Sequence, residues 1–149
     1  MRNLCLLLFC LLLTACVSGT GLKEEPPGLS PQQLRIELAK VSGVRIADGE
    51  PLLARFPVGT LFAQGSALPM PGGPALLDAL TNLVKKSKLN WSLKVRAASG
   101  EGEQHDAELA ATRAEILKVY FNNARVNMQK ISITAIAEQG ASLELELVQ

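Results

Sequence analysis

Apolar positions along this chain follow two periods, and their alternation lays out the elements. Ser30-Pro31 places a capping hydroxyl before a proline at the first helical position. Leu34, Leu38 and Val41 continue as a short stripe that Gly43 should end. Val44-Arg45-Ile46 and the segment from Pro51 to Phe56 flank Asp48-Gly49, a hairpin-turn dipeptide. A second extended piece, Val58 to Phe62, is expected after Pro57. Pro69-Met70-Pro71-Gly72-Gly73-Pro74 breaks the chain. Leu76, Leu77, Leu80, Leu83 and Val84 then fall on one helical face, with Lys85, Lys86 and Lys88 at the end where cations complement the helix dipole. Trp91 to Ala97 alternates apolar and polar residues, which predicts a strand with one buried face and puts Trp91 in the core. After a Ser99–Gly102 loop, the longest helix is predicted from Asp106 to about Ala124. Ile131–Ile136 and Leu143–Leu147 alternate again. Gln139-Gly140 between them predicts an antiparallel hairpin, with Glu144 and Glu146 facing water. The order is strand or hairpin, helix, strand, helix, strand, strand, with right-handed crossovers and helices on one sheet face.

The N-terminus follows a different pattern. Arg2 precedes an unbroken apolar run from Leu4 to Leu13. Its length falls well short of the ~20 residues that a membrane-spanning helix needs, so it reads as a secretory signal. Leu13-Thr14-Ala15-Cys16 closes the run and resembles the lipobox of bacterial lipoproteins. That resemblance implies cleavage before Cys16, a thioether-linked lipid on its sulfur, and acylation (a palmitate chain) of the new amino terminus. Multiple acyl chains anchor stably where one does not. Val17 stands where an Asp would resemble an inner-membrane retention signal, so the implied destination is the outer membrane, with the rest of the chain facing the periplasm.

The expected organisation is a signal peptide over 1–15, a lipidated Cys and flexible tether over 16–31, a short helix and hairpin lead-in over 32–51, and a domain over 52–149. Gly and Ser loosen the tether and Pro26-Pro27 stiffen its middle. Fully extended it reaches roughly 45–50 Å at ~3.3 Å per residue. Of three cysteines, Cys5 and Cys10 leave with the signal, so the mature chain retains Cys16 alone and can build no internal disulfide or cysteine metal site. The whole chain has 15 Lys and Arg against 14 Asp and Glu, and loss of Arg2 balances them. No basic field is left to draw in nucleic acid.

The candidate site lies in the second main helix. At ~100° per residue, Leu109, Ile116, Leu117 and Tyr120 cluster within about a third of its circumference. Glu108, Glu115, Lys118 and Asn122 lie opposite, but Arg113 falls inside the apolar stripe. A guanidinium there must find a partner, because an unpaired buried charge is costly. Asp106 lies two turns earlier on nearly the same bearing. Two readings follow. Arg113 either pairs structurally with Asp106 or Glu103 at the rim, or it receives an anion, since its planar fork suits a carboxylate.

At this point a family pattern is visible. Residues from about 52 to 148 resemble the OmpA-like peptidoglycan-binding domain. Phe56-Pro57-Val58-Gly59-Thr60-Leu61-Phe62-Ala63-Gln64-Gly65-Ser66-Ala67-Leu68 is similar to its opening strand and loop, and Pro71 with the Leu76–Leu83 helix fits its first helix. Leu109-Ala110-Ala111-Thr112-Arg113-Ala114 resembles its arginine signature, with Ala110 in place of Ser. Lys130-Ile131-Ser132 and Leu143-Glu144-Leu145 match two later strands. The resemblance implies an α+β fold: a mixed β-sheet with two main helices packed on one face, in β-α-β-α-β-β order. It also implies that Arg113 and Asp106 hold the carboxylate region of a peptidoglycan stem peptide, typically at diaminopimelate. The chain departs from the pattern at Val95-Arg96-Ala97-Ala98, where the family's ligand-binding Asp becomes Ala98 or, with a shifted loop, Ser99. Losing that carboxylate removes a charge-assisted bond worth ~1.5–3 kcal/mol, a roughly ten- to hundredfold loss in affinity. Ala135-Ile136-Ala137 replaces a later Gly-x-Gly, and its methyl groups are expected to narrow the pocket.

Two functions remain. One is an outer-membrane lipoprotein that associates with peptidoglycan through this domain. The other is a subunit of an envelope-spanning secretion, pilus or motility complex, with protein partners and a decayed glycan site. Neither needs a cofactor or metal. An enzyme is not expected: His105 is the lone histidine, Ser99 and Ser132 have no base beside them in sequence, and Gly100-x-Gly102 lacks the rest of a phosphate loop.

Overall fold

The structure is a computed structural model that describes residues 28–148. The signal sequence, Cys16 and all of the tether before Gly28 lie outside the described residues.

Ser30 caps the first helix, α1 (Pro31–Ala39), through a reciprocal pair: its hydroxyl accepts from Gln33 N–H and its own N–H donates to the Gln33 side chain. The helix ends before the expected Gly43, with Lys40 as its C-cap. Leu34 and Leu38 bury fully. Arg35 reaches from α1 to the carbonyls of Ala47 and Gly49, at 2.7 and 2.5 Å, and so clamps the turn between β1 (Arg45–Ile46) and β2 (Leu53–Phe56). That pair is the antiparallel hairpin predicted from Asp48-Gly49. The lead-in therefore shares one sheet and one core with the rest of the described chain.

No strand forms over 58–62. Pro57 has no N–H to give, Gly59 sits at φ 82°, and Thr60 N–H closes a turn on the Pro57 carbonyl. Leu61 and Phe62 plug the core from this turn instead, with one isolated bridge between Phe62 and Pro69. The next helix, α2 (Gly73–Ser87), buries Leu77, Leu80, Leu83 and Val84, as its periodicity predicts. The strand β3 (Asn90–Arg96) alternates as expected, and Trp91 is core, its indole N–H donating to the Ser87 hydroxyl at 2.9 Å. The long helix α3 (Glu103–Asn123) begins one turn earlier than predicted. A short 3₁₀ turn, Met128–Lys130, leads into β4 (Ile131–Ile136), and β5 (Leu143–Val148) closes the chain.

The sheet order is β1-β2-β5-β3-β4. This corrects the expected β4–β5 hairpin: β4 runs parallel to β3 at the edge, whereas β5 inserts antiparallel between β2 and β3. The 137–142 link crosses the end of β3 rather than turning tightly back. Gly140 allows the crossing, because a Cβ there would stand 3.1 Å from Arg96 Cδ and its φ of 146° suits glycine. Leu143, Leu145 and Leu147 point into the core with Leu93 and Val95, each burial worth about 1.5–3 kcal/mol. Among the described residues no helix is long and apolar enough to cross a membrane.

Glu146 stays half exposed, but Glu144 does not face water as expected; it is only 7% exposed. The inserted position of β5 puts it between cations from both neighbours. Arg55 on β2 donates to it at 2.8 Å, and Lys94 Nζ and Arg96 Nη1 on β3 each stand 3.7 Å from its other oxygen. Burial alone raises the Glu144 pKa. The Arg55 hydrogen bond, with the charges of Arg96, Arg55 and Lys94, outweighs that and holds it below the usual carboxylate range.

Candidate functional site

Arg113 projects from the buried side of α3, as its place in the apolar stripe predicts, and is 4% exposed. Its partner is neither Asp106 nor Glu103. The guanidinium forks across three backbone carbonyls: Nε donates to Ser66 at 2.9 Å, Nη1 to Arg96 at 2.8 Å and Nη2 to Ala63 at 2.7 Å. The Phe62 ring lies 4.9 Å from its central carbon, a cation–π contact. Arg113 thus ties α3 to the end of β3 and to the 63–66 loop. Burial depresses its pKa and the charge of Asp106 opposes this, yet an arginine so far above neutral stays ionised. A guanidinium carries five N–H groups. Three are spent here, which leaves one on each terminal nitrogen.

Asp106 sits in the first turn of α3 and does another job. Its Oδ1 accepts from the Ser99 backbone N–H at 2.6 Å and from the Ser99 hydroxyl at 2.5 Å. These two bonds, the hydroxyl first, hold its carboxyl below the usual range, with smaller help from His105 and Arg113. Gly102 at the N-cap offers no side-chain cap and has a φ of 117° that only glycine adopts readily. Asp106 therefore supplies the anion that the helix start needs and pins the 99–101 loop against it. The two residues named from sequence lie on one face of α3, but different groups engage them.

Beside Arg113 is a cleft of about 260 Å³. Val58, Gln64 and Gly65 line one side, Arg96, Ala98 and Arg113 its inner wall, and Glu138, Gln139 and Gly140 the turn across from them. Ala98 occupies part of the inner wall. Ala135, Ile136 and Ala137 are not among the lining residues, so the cleft is bounded by the turn beyond them. Sequence reasoning placed Arg96 near Arg113 but missed Glu138 as its neighbour. Only the crossing of the 137–142 link over β3 brings them together, and periodicity carries no trace of that crossing. Chemically, the cleft offers two guanidinium groups, two side-chain amides and one carboxylate. That set suits recognition of a charged polar group. A larger groove of about 510 Å³ runs between α1 and α2, where its charged rim is partly self-paired through Lys40 and Glu37. Among the described residues no group of His, Cys, Asp and Glu is placed to hold a metal ion.

The fold and this cleft can be set beside known proteins. No protein-family model matches the chain, and no curated protein sequence matches it. Solved structures do. A putative MotB-like protein from Desulfovibrio vulgaris superposes with a TM-score of 0.63 at 21% identity, over 78% of this chain and 89% of that one. The cell wall anchor of the T6SS from Pseudomonas aeruginosa gives 0.60 at 12% identity, over 79% and 96%. The OmpA-like domain of FopA1 from Francisella tularensis gives 0.54 at 14% identity, over 70% and 78%. The described chain has the OmpA-like α+β fold, a five-stranded mixed sheet with α2 and α3 as its main helices.

Proposed function

We propose that this protein associates with the cell envelope from the periplasmic side, taking an acidic group of the peptidoglycan stem peptide into the cleft beside Arg113. The observation that carries this is the position of Arg113: its guanidinium lines the cleft with two N–H groups unspent, next to the Arg96 side chain. A preorganised fork beside a second cation favours a carboxylate. The fold is shared with a protein described as a cell wall anchor, which supports the same reading. In this proposal Cys16 carries the lipid, the outer membrane holds the chain and the 16–31 tether lets the domain reach the wall. The protein binds and performs no chemistry.

A second reading has a specific observation behind it. Ala98 stands on the cleft wall where the family resemblance calls for a carboxylate, and three of the five Arg113 donors are already engaged. A domain with this cleft serves equally as a protein-binding subunit of an envelope-spanning complex. Co-sedimentation with purified diaminopimelate-type peptidoglycan separates the two. Wild-type chain that pellets with the wall, and Arg113→Lys chain that stays folded by circular dichroism yet remains in the supernatant, is the expected result. Folded wild type that stays in the supernatant overturns the peptidoglycan reading and leaves the protein-partner one.

A further inference from the structure

The C-terminal ends of α2 and α3 border one pocket of about 320 Å³. Four cations line it, Lys85, Lys88, Arg125 and Lys130, and no lining residue is acidic. The sequence prepares this: no Asp or Glu occurs between Asp78 and Glu101, or between Glu115 and Glu138, and these two stretches supply the whole lining. Lys85 Nζ donates to the Ala124 carbonyl at 2.9 Å and Lys130 Nζ to the Lys88 carbonyl at 2.6 Å. A carbonyl does not neutralise an ammonium, and each keeps two further N–H groups. Among the described residues no carboxylate forms an ion pair with Lys85, Arg125, Lys130 or the adjacent Lys86. Lys88 and Arg125 take φ of 55° and 58° at the ends of the two helices, left-handed positions where glycine is usual. Each helix end carries about half a negative charge, which offsets only about one of the four cations.

The place of this cluster in the chain selects its partner. Gly28 packs so closely on the Ser87 carbonyl that a Cβ would stand 2.6 Å from its oxygen, and Leu29 N–H donates to the Lys86 carbonyl at 3.0 Å. The segment that leads from Cys16 therefore joins the domain beside the basic pocket. The Arg113 cleft is at the other end of the sheet. Leu89, just before β3, lines the basic pocket, and Arg96, the last residue of β3, lines the cleft. At ~3.3 Å per residue the two are about 20 Å apart. We infer that the basic end docks on anionic phospholipid headgroups of the membrane that holds the chain, which turns the Arg113 cleft away from that membrane. The inference rests on the lipid anchor of the proposed function. A basic patch adds to the hold of acyl chains, and each Lys or Arg near an anionic surface strengthens it. The chain's own Lys23-Glu24-Glu25, one Lys against two Glu, is too weakly acidic to balance the cluster in place of lipid.

Trp91, the single tryptophan of the chain, lies at this end of β3. Energy transfer from it to a dansyl-headgroup lipid reads how close the basic end lies to a vesicle surface, and flotation of the full chain reads anchoring separately. The chain should float with phosphatidylcholine vesicles with or without phosphatidylglycerol. Strong transfer should need phosphatidylglycerol and fade as salt rises. Lys85 and Arg125 are exposed, and Lys85→Gln with Arg125→Gln should lower the ratio of docked to free domain about thirtyfold. Lys40→Gln with Arg45→Gln, an equal loss of charge elsewhere on the surface, should leave it unchanged. Circular dichroism checks each fold, and the salt series on wild type decides the matter if a variant unfolds. Equal transfer on both lipids, or equal loss in the two double variants, overturns the proposal. Transfer that appears only in Glu24→Gln with Glu25→Gln overturns it in favour of the chain's own tether. Wall co-sedimentation lost in Lys85→Gln with Arg125→Gln while transfer persists overturns it in favour of peptidoglycan. A chain that does not float with phosphatidylcholine alone removes the anchor; docking then stands if phosphatidylglycerol vesicles still float wild type and not Lys85→Gln with Arg125→Gln, and falls if they do not.

Discussion

Arg113 and Glu144 are both buried charges, and they are stabilised by opposite means. Arg113 lies on the helix side of the sheet, and its hydrogen bonds go to three neutral carbonyls. Glu144 lies on the other side among Arg55, Lys94 and Arg96, whose own side chains range from half exposed to mostly buried. Backbone dipoles fixed by the fold do not titrate and are not displaced by salt. Side-chain cations at a partly wet surface are screened at physiological ionic strength, where the Debye length is about 8 Å. The same domain thus carries one charge whose contribution should be indifferent to solution conditions and one whose contribution should follow them.

The largest expected effect is at Arg113. Arg113→Ala removes three charge-assisted donors and leaves the carbonyls of Ala63, Ser66 and Arg96 without them on the inner wall of the cleft. The expected loss is about 3 kcal/mol or more in urea unfolding, nearly unchanged between low and high salt. A loss under about 1 kcal/mol, or one that shrinks as salt rises, would place Arg113 among screened charges like Glu144 and erase the contrast.

Glu144→Gln should cost less, about 1 kcal/mol once screening of its exposed partners is allowed for, and the cost should fall as salt rises. Its pH dependence has a definite sign. The folded-state pKa of Glu144 is depressed, so its contribution is complete above the unfolded value of about 4.3 and is lost as pH falls through the lower folded value. Thermal midpoints of wild type and Glu144→Gln should therefore differ at neutral pH and converge in acid. Parallel curves over the whole range would show that the three cations do not stabilise the carboxylate.

The comparison also explains what the sequence could convey. Arg113 was legible as an anomaly, because a helix face is defined by spacing alone and a charge inside an apolar stripe stands out. Its partners were not, since the carbonyls of residues 63 and 66 belong to the loop that follows the 58–62 piece, which was expected to extend and instead turns at Pro57 and Gly59. Glu144 was legible only as half of an alternation. Alternation reports which face a residue takes and says nothing about which strand lies beside it. With β5 inserted between β2 and β3, the outward face of Glu144 became the most cationic stretch of the sheet. The hairpin expected from Gln139-Gly140 failed for the same reason: a turn dipeptide marks where the chain bends, and the pairing is chosen by where the inward leucines of β5 find the most core. By contrast, α1, α2 and β3 depend on caps and periodicity within one segment, and all three stand close to where those signals place them.

Asp106 sharpens the comparison with the smallest effect, because it combines both means of support. A backbone N–H and a hydroxyl from Ser99 hold its carboxylate, fixed dipoles as at Arg113, but the group itself titrates as Glu144 does. Ser99→Ala removes the hydroxyl, the larger of the two depressing causes, and keeps the backbone donor. The Asp106 side-chain carbon, followed by NMR through an acid titration, should then show a pKa shifted upward toward the ordinary carboxylate range while remaining below it. Because the native value is depressed, the stability that Asp106 contributes is present above the unfolded value and is lost as pH falls through the folded one, and Ser99→Ala should narrow that window. Added salt should leave the shift largely in place, since its main causes are hydrogen bonds. A pKa in Ser99→Ala equal to that of wild type would assign the depression to the retained Ser99 backbone N–H and the charges of His105 and Arg113.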